Sequence, residues 1–284
     1  MIDNETRIKH YLGEFEYKDF PTEPSSDIFD VPFKLEEGIK SRSTYDADLN
    51  RLYQIKPDKL WVQCGDQPYK GKNKVLVKTR DSFDGESRGI ITKLNTLRHW
   101  NAPLNQDWDW SYKNSNVIWR GADTGNDPQN NDRLTFIESF YKILDVGFSS
   151  WQQNKKFSPE SYPNEYLKGQ VDISDLLKFK YHPVIDGNDR SSSLNWVLIS
   201  NCLPIMPKQR FHSWACEKFL EPGVHYVECK RDFSDFLDKV EWCKSNDQQA
   251  KEIAENGKRF MQMFLDLENE KIIERDLINY VVEN

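Results

Sequence analysis

From residue 115 onward the chain alternates short apolar runs with segments of helical period. This rhythm, more than any motif, limits the fold. Residues 117–120, the run ending near Ile185 in "LLKFKYHPVIDG", "CLPIMP" and "GVHYVEC" read as strands. Between them Leu134, Ile137, Tyr141 and Leu144 share one helical face. "NDRSSSLNWVLISN" offers serine N-caps ahead of Leu194, Val197 and Leu198. "DFSDFLDKVEWCKSND" opens on Asp232 and Ser234 and continues helically through Phe236, Leu237 and Val240. A strong helix former runs from Gln248, with a break expected near Asn256 and Gly257. Strands alternating with helices predict an α/β fold built on a parallel sheet covered on both faces.

The first sixty residues, rich in Pro, acids and aromatics as in "FPTEPSSDIFDVPF", predict irregular structure with one or two short helices. "KNKVLVKTRD" is a strand over residues 74–79 ending at Arg80 and Asp81, and Ile90, Ile91, Leu94 and Leu97 predict a helix behind it. "RHWNAPLNQDWDWSYKNS" breaks the periodicity and reads as a connection between domains. The expected division is residues 1–110, residues 111–264, and a C-terminal helix over 265–284 that packs back on the first part. With 284 residues the chain can bury two cores.

A net charge of -7 argues against a general nucleic-acid binder. Cys64, Cys202, Cys216, Cys229 and Cys243 are odd in number and scattered, which disfavours a zinc site or a disulfide framework. "MIDNETRIKHYLGEF" lacks the apolar core of a signal peptide, "YVVEN" is no retention or prenylation signal, and no apolar run spans a bilayer. A reducing cytosolic setting is the expectation.

Three clusters carry chemistry. In "SNVIWRGADTG", Arg120 ends a strand beside Gly121, where a guanidinium can meet an anion at the carboxyl edge of a sheet, or pair with Asp123 or Asp127. In "VIDGNDRSSSL", Asp186 and Gly187 end a strand, and Arg190 with Ser191, Ser192 and Ser193 leads into a helix. That is either a diphosphate seat or a capped turn. In "KTRDSFDGE", Asp81 sits at a strand end where a carboxylate can take a hydroxyl proton. Asp84 and Glu86 lie near enough in sequence to suggest a glycosidase pair or plain turn residues. His99, His182, His212 and His225 have no metal spacing, and "DWDW" at Asp107 and Asp109 is the nearest string to a metal box. Trp61, Trp100, Trp108 and Trp110 could stack on sugars from the first half or fill its core.

Taken in order, "VLVKTRD", "VIWRGADTG", "KFKYHPVIDGNDRSSSL", "LISNCLPI" and "LEPGVHYVECKRDFSDF" followed by "AKEIAENGKRF" resemble glycosyltransferase family 90. The shortness of the chain resembles the virus-encoded members, of the chlorovirus xylosyltransferase type that builds capsid N-glycans. The resemblance implies a GT-B architecture, two Rossmann-like domains facing across a cleft, and inverting, metal-independent transfer from a UDP-sugar to a glycan hydroxyl. UDP-xylose is the favoured donor and UDP-glucose the next. A protein acceptor, or a relative that binds UDP-sugars without turnover, is the alternative. No cofactor and no metal are implied. Asp81 takes the place of the general base. The donor set is Trp119, Arg120, Gly121, Asp186, Gly187, Arg190, Ser191, Ser192, Ser193 and Lys208. Family members commonly carry an arginine where this chain has Ser193, and Arg190, one helical turn earlier, is the candidate replacement.

Overall fold

Parallel strand pairing organises the second half of the chain, as the alternating pattern requires. A computed structural model describes residues 2–20, 33–34, 44–56, 60–99, 107–125, 132–157 and 159–284. In chain order the helices and strands are α1 (Asn4–Leu12), β1 (Phe33–Lys34), α2 (Asp46–Ile55), β2 (Trp61–Val62), β3 (Leu76–Val77), β4 (Thr79–Asp81), β5 (Ile90–Ile91) and α3 (Thr96–His99). There follow β6 (Asn114–Ala122), α4 (Asp132–Phe140), β7 (Asp145–Ser150), α5 (Asn154–Phe157), α6 (Ile173–Leu176), β8 (Phe179–Pro183), α7 (Ser193–Ile199) and β9 (Leu203–Met206). The chain closes with β10 (Phe211–Ser213), β11 (Val227–Glu228), α8 (Phe236–Ser245), α9 (Asp247–Gln262) and α10 (Leu267–Glu283). Two compact units result. The first joins residues 1–101, 210–218 and 263–284; the second joins residues 102–209 and 219–262.

The second unit holds a five-stranded sheet in the order β11-β9-β8-β6-β7, with every described pairing parallel. Counted within the sheet, the strands run 2-1-3-4-5 from the β7 edge, the doubly-wound order whose direction reverses between its first and third strands. Here that switch point falls between β6 and β8. The core beneath is aromatic: Phe136 lies 5.0 Å from Phe140, Phe233 and Phe236, and Trp119 packs edge-on to Phe136 and Phe148. This cluster explains why α4 turns Phe136, Ile137 and Phe140 inward and stops at Phe140. Tyr141 and Leu144, expected on that helix, lie just beyond it and pack at the core's margin.

The expected break at Asn256 and Gly257 does not occur; α9 is continuous. Gly257 is there for approach. A Cβ on it would stand 2.8 Å from Leu198 Cδ2 and 2.9 Å from the carbonyl oxygen of His225, so its lack of a side chain lets α9 lie against α7. Trp108 and Trp110, expected in the first half, belong to the second unit. Trp110 is buried in its core and donates to Asp247 at 3.0 Å. Asp107 is held by Lys113 Nζ at 2.6 Å and by the Asn201 amide, so that carboxylate ties structure together. Trp100, the Pro103 stretch and Asp127 lie outside the described residues.

In the first unit the described strands are two or three residues long. β1-β2-β3-β5 form a small mixed sheet and β4 pairs antiparallel with β10. The helix expected over Ile90, Ile91, Leu94 and Leu97 is instead β5 and a single turn, α3. The β-branched pair Ile90 and Ile91 is buried alongside Leu76 and Val77, and Asn95 at φ 58° interrupts any helix. The strand expected over residues 74–79 is split into β3 and β4. Residues 210–218 return to this unit, where Tyr11 donates to the carbonyl of Trp214 at 2.7 Å. So does α10, whose Glu270 pairs with Arg7 at 2.7 Å and whose Glu274 pairs with Arg51 at 2.8 Å. No described helix is long and apolar enough to cross a membrane.

Candidate functional site

In open parallel sheets ligands collect beyond the carboxyl ends of the strands, at the point where strand order reverses. In the second unit those ends are residues 122–125 after β6 and residues 184–190 after β8. Arg133, in the first turn of α4, bridges them. Its Nη1 donates to the Ala122 carbonyl at 2.8 Å and to Thr124 Oγ1 at 2.7 Å, and its Nε and Nη2 reach the carbonyls of Ile185 and Asp186 at 3.2 to 3.4 Å. Burial draws the Arg133 guanidinium down to about 10, opposed by Asp186, Asp189 and Asp123 nearby. Gly187 makes room for this bridge, since a Cβ there would meet Thr124 Oγ1 at 2.6 Å and Arg133 at 3.0 Å. Asn188 Oδ1 accepts from the Gly125 amide at 3.0 Å, joining the two loops again.

The candidate donor residues divide. Asp186 closes its own loop by accepting from the Ser191 amide at 3.1 Å, and Gly187 donates to the Asp189 carbonyl at 2.9 Å. Arg190 is buried and donates to Asn195 Oδ1 on α7 at 2.5 Å. The expected serine cap is absent: Ser192 occupies the cap position without a side-chain bond and is exposed, while the Ser191 and Ser193 hydroxyls bond each other at 2.8 Å. Lys208, past the end of β9, is exposed, and its carbonyl accepts from Arg231 at 2.7 Å. Trp119 belongs to the core beneath the sheet, and Gly121 sits against its ring.

Arg120 does not reach past the carboxyl edge. Its guanidinium donates to the Trp119 and Asp145 carbonyls at 2.9 and 2.8 Å and pairs with the Asp145 carboxylate at 2.6 Å. Asp145 opens β7 and registers with Ile118, so the side chain lies back toward the amino end of the strands. Of the two readings, pairing with an aspartate holds, but the partner is neither Asp123 nor Asp127. Asp123 is buried and accepts from the amides of Gln152, Gln153 and Lys155.

In the first unit Asp81 ends β4 with its side chain 2% exposed. Oδ1 accepts from the Phe83 amide at 2.9 Å and the Asp84 amide at 3.3 Å, an Asx turn. Oδ2 accepts from Arg210 Nε at 2.8 Å and Nη2 at 2.6 Å. Arg210 escaped the sequence reading because its partner lies 129 positions away. The one local signal is the strand pattern of "RFHSW" directly behind it. Asp84 and Glu86 turn instead to Lys70, at 2.7 and 3.5 Å. His182 is structural: its Nε2 bonds the Phe179 carbonyl at 3.1 Å, its ring stands edge-on to Trp196, and burial holds it down at about 4. Among the described residues no group of three or more His, Cys, Asp or Glu could hold a metal ion.

The chain is similar in sequence to known proteins. The O-glucosyltransferase LpsA of Dichelobacter nodosus is 27% identical over 232 residues, 80% of this chain and 69% of its own length. Protein O-glucosyltransferase 3 of Homo sapiens is 27% identical over 177 residues, 60% of this chain and 31% of its own. Uncharacterized protein 035R of Invertebrate iridescent virus 3 is 30% identical over 178 residues, 56% of this chain and 16% of its own. The chain therefore spans less than a third of the last two relatives. The family described as Glycosyl transferase family 90 matches residues 82–274, opening one position after Asp81 and covering the whole parallel sheet. On that extent of match the chain belongs to glycosyl transferase family 90.

Proposed function

We propose that this chain is an inverting glycosyltransferase of the GT-B type that moves a sugar from a UDP-sugar to a hydroxyl of a glycan, without a metal ion. The second unit serves as its donor half and the first as its acceptor half. The observation that carries the reading is the 2-1-3-4-5 parallel sheet within the family match, with its switch-point loops tied by Arg133. Glucose is the first donor to test because LpsA and protein O-glucosyltransferase 3 carry that sugar in their names. Xylose, favoured by the resemblance to virus-encoded members, is the second. The human relative's name also supports a protein hydroxyl as the rival acceptor.

In this reading the acceptor oxygen bonds the anomeric carbon while the bond from that carbon to the diphosphate breaks on the opposite face. The electron pair leaves with UDP, and the acceptor's proton passes to Asp81. A general base of this kind contributes about 100- to 10,000-fold. Arg190, Lys208 and the loop of Ser191, Ser192 and Ser193 receive the diphosphate charge. Asp186 and Gly187 shape that loop. Arg120, which the resemblance assigns to the diphosphate, is better supported as a strut because Asp145 already holds it.

Thermal shift against UDP-glucose, UDP-xylose, UDP-galactose and UDP-N-acetylglucosamine, with and without EDTA, tests the donor and the metal together. Stabilisation by one of them, indifferent to EDTA, is expected; no response to any would overturn the reading. Asp81→Asn should keep UDP binding and lose sugar release, and full activity in that variant would remove Asp81 from the chemistry. Arg120→Ala should leave UDP affinity within about twofold while lowering the melting temperature. A tenfold weaker UDP affinity by calorimetry in a folded variant would restore its ligand role.

A further inference from the structure

The carboxylate of Asp81 has no vacant acceptor position. An ionised carboxylate offers about four lone-pair sites. Two on Oδ1 are taken by the Phe83 and Asp84 amides, and two on Oδ2 by Arg210 Nε and Nη2. A hydroxyl that gives its proton to Asp81 must first displace one of these four donors. The amides are fixed by the turn. The backbone is further pinned where the Asp81 amide donates to Ser87 Oγ at 2.9 Å. Arg210 is different in kind, because its side chain is 32% exposed and carries two donors on one oxygen.

Its backbone does not wander. β4 and β10 pair with Phe211 opposite Asp81, and the Arg210 carbonyl accepts from the Ser82 amide at 2.8 Å and the Ser82 hydroxyl at 2.6 Å. The guanidinium can therefore slide to a single bond on Oδ2 while its charge stays beside the carboxylate. Other charges nearby are already engaged, Asp84 and Glu86 with Lys70.

Resting on the reading of Asp81 as the base, we propose that Arg210 is the positioning residue of the transfer reaction and that Oδ2 is the atom that takes the proton. Arg210 fixes the plane of the carboxylate and gives up one of its two hydrogen bonds to the incoming hydroxyl. The proton then moves from that hydroxyl to Oδ2 as the new glycosidic bond forms and UDP departs. The two bonds to one oxygen hold that oxygen in place, so the contribution of Arg210 is orientation. Misplacement of a reacting group by about 1 Å is enough to cost on the order of 100-fold.

The test follows UDP release from UDP-glucose, with water as the acceptor, in wild type, Arg210→Ala, Arg210→Lys and Asp81→Asn. Arg210→Ala should lower kcat by about 10- to 100-fold with the KM for UDP-glucose within about twofold. Arg210→Lys, which keeps one donor on Oδ2, should recover part of the loss. Guanidinium chloride added at low millimolar concentration should partly restore Arg210→Ala and do nothing for Asp81→Asn. Wild-type kcat in Arg210→Ala overturns the proposal. So does a loss that neither lysine nor guanidinium relieves in a protein of unchanged melting temperature. If Arg210→Ala does not fold, Arg210→Lys decides alone: a lower kcat at constant KM supports the role, and unaltered kcat removes it. A wild type silent on UDP-glucose and UDP-xylose alike, or an active Asp81→Asn, instead defeats the transferase reading on which the inference rests.

Discussion

Replacing Arg133 with methionine keeps an unbranched stem as far as the position of Nε and removes the bridge between the loops after β6 and β8. Two of its bonds are short, 2.8 Å to the Ala122 carbonyl and 2.7 Å to Thr124 Oγ1; those to Ile185 and Asp186 run from 3.2 to 3.4 Å. A hydrogen bond to a charged group contributes about 1.5 to 3 kcal/mol, so the short pair alone accounts for about 3 to 6 kcal/mol. The site is only partly shielded, and water re-solvates some of the stranded carbonyls. That places the loss near the lower bound, about 3 kcal/mol. In a unit of about 150 residues each kcal/mol moves the melting temperature by about 2 to 4 °C. Arg133→Met should therefore melt about 6 to 12 °C lower by scanning calorimetry. Its loops should also lose their mutual order, so UDP affinity should fall about tenfold by titration calorimetry, with Arg133→Lys intermediate. A melting temperature within about 2 °C of wild type would refute the bridge, and an intact UDP affinity in a destabilised protein would refute the link between the bridge and the donor loops.

Two further outcomes test the packing. Gly257→Ala, which in an ordinary helix would gain about 1 kcal/mol, should instead destabilise by about 1 to 2 kcal/mol in urea titration. Leu198 can yield, but the His225 carbonyl 2.9 Å away cannot, and overpacking costs about 1 to 3 kcal/mol. His182 makes stability fall on acidification. Below pH 6.5 the unfolded imidazole takes up a proton that the buried one refuses until about 4, so stability is full above that window and is lost across it. His182→Phe should flatten the slope of unfolding free energy between pH 6.5 and 4. His10, held down to about 4 by burial and by Arg80, leaves a second slope in the same range.

Much of the second unit could be read from residue order. β6, β8, β9, β11 and α8 appear where apolar runs and helical spacing put them, because each is local and buried on the face its pattern shows. What failed was set by partners distant in sequence. Ile90 and Ile91 fit a helical stripe as well as a strand, and only the neighbouring Leu76 and Val77 decide for the strand. Gly257 looks like a helix breaker until Leu198 and the backbone at His225 are seen against it. Arg120 stands at the expected strand, but the direction of its guanidinium follows from Asp145, 25 positions on. Arg133, Thr124 and Gly187 form one contact from a helix and two loops, none of which carries a recognisable signature alone. Asp81 is marked by its place at a strand end, with turn residues as the alternative, and then by the "KTRD" resemblance; Arg210 is not marked at all.

The first unit gathers residues 1–101, 210–218 and 263–284, and its last helix is fastened by Glu270 to Arg7 and by Glu274 to Arg51. No single break in the gene can thus deliver the two halves as separate products. On the ribosome, every residue of the second half has emerged before the first receives its closing piece. Until then Arg7 waits without Glu270, and Arg51 has Asp48 but not Glu274. A chain truncated after residue 262 should hence be open to proteases at its start while resistant in its middle.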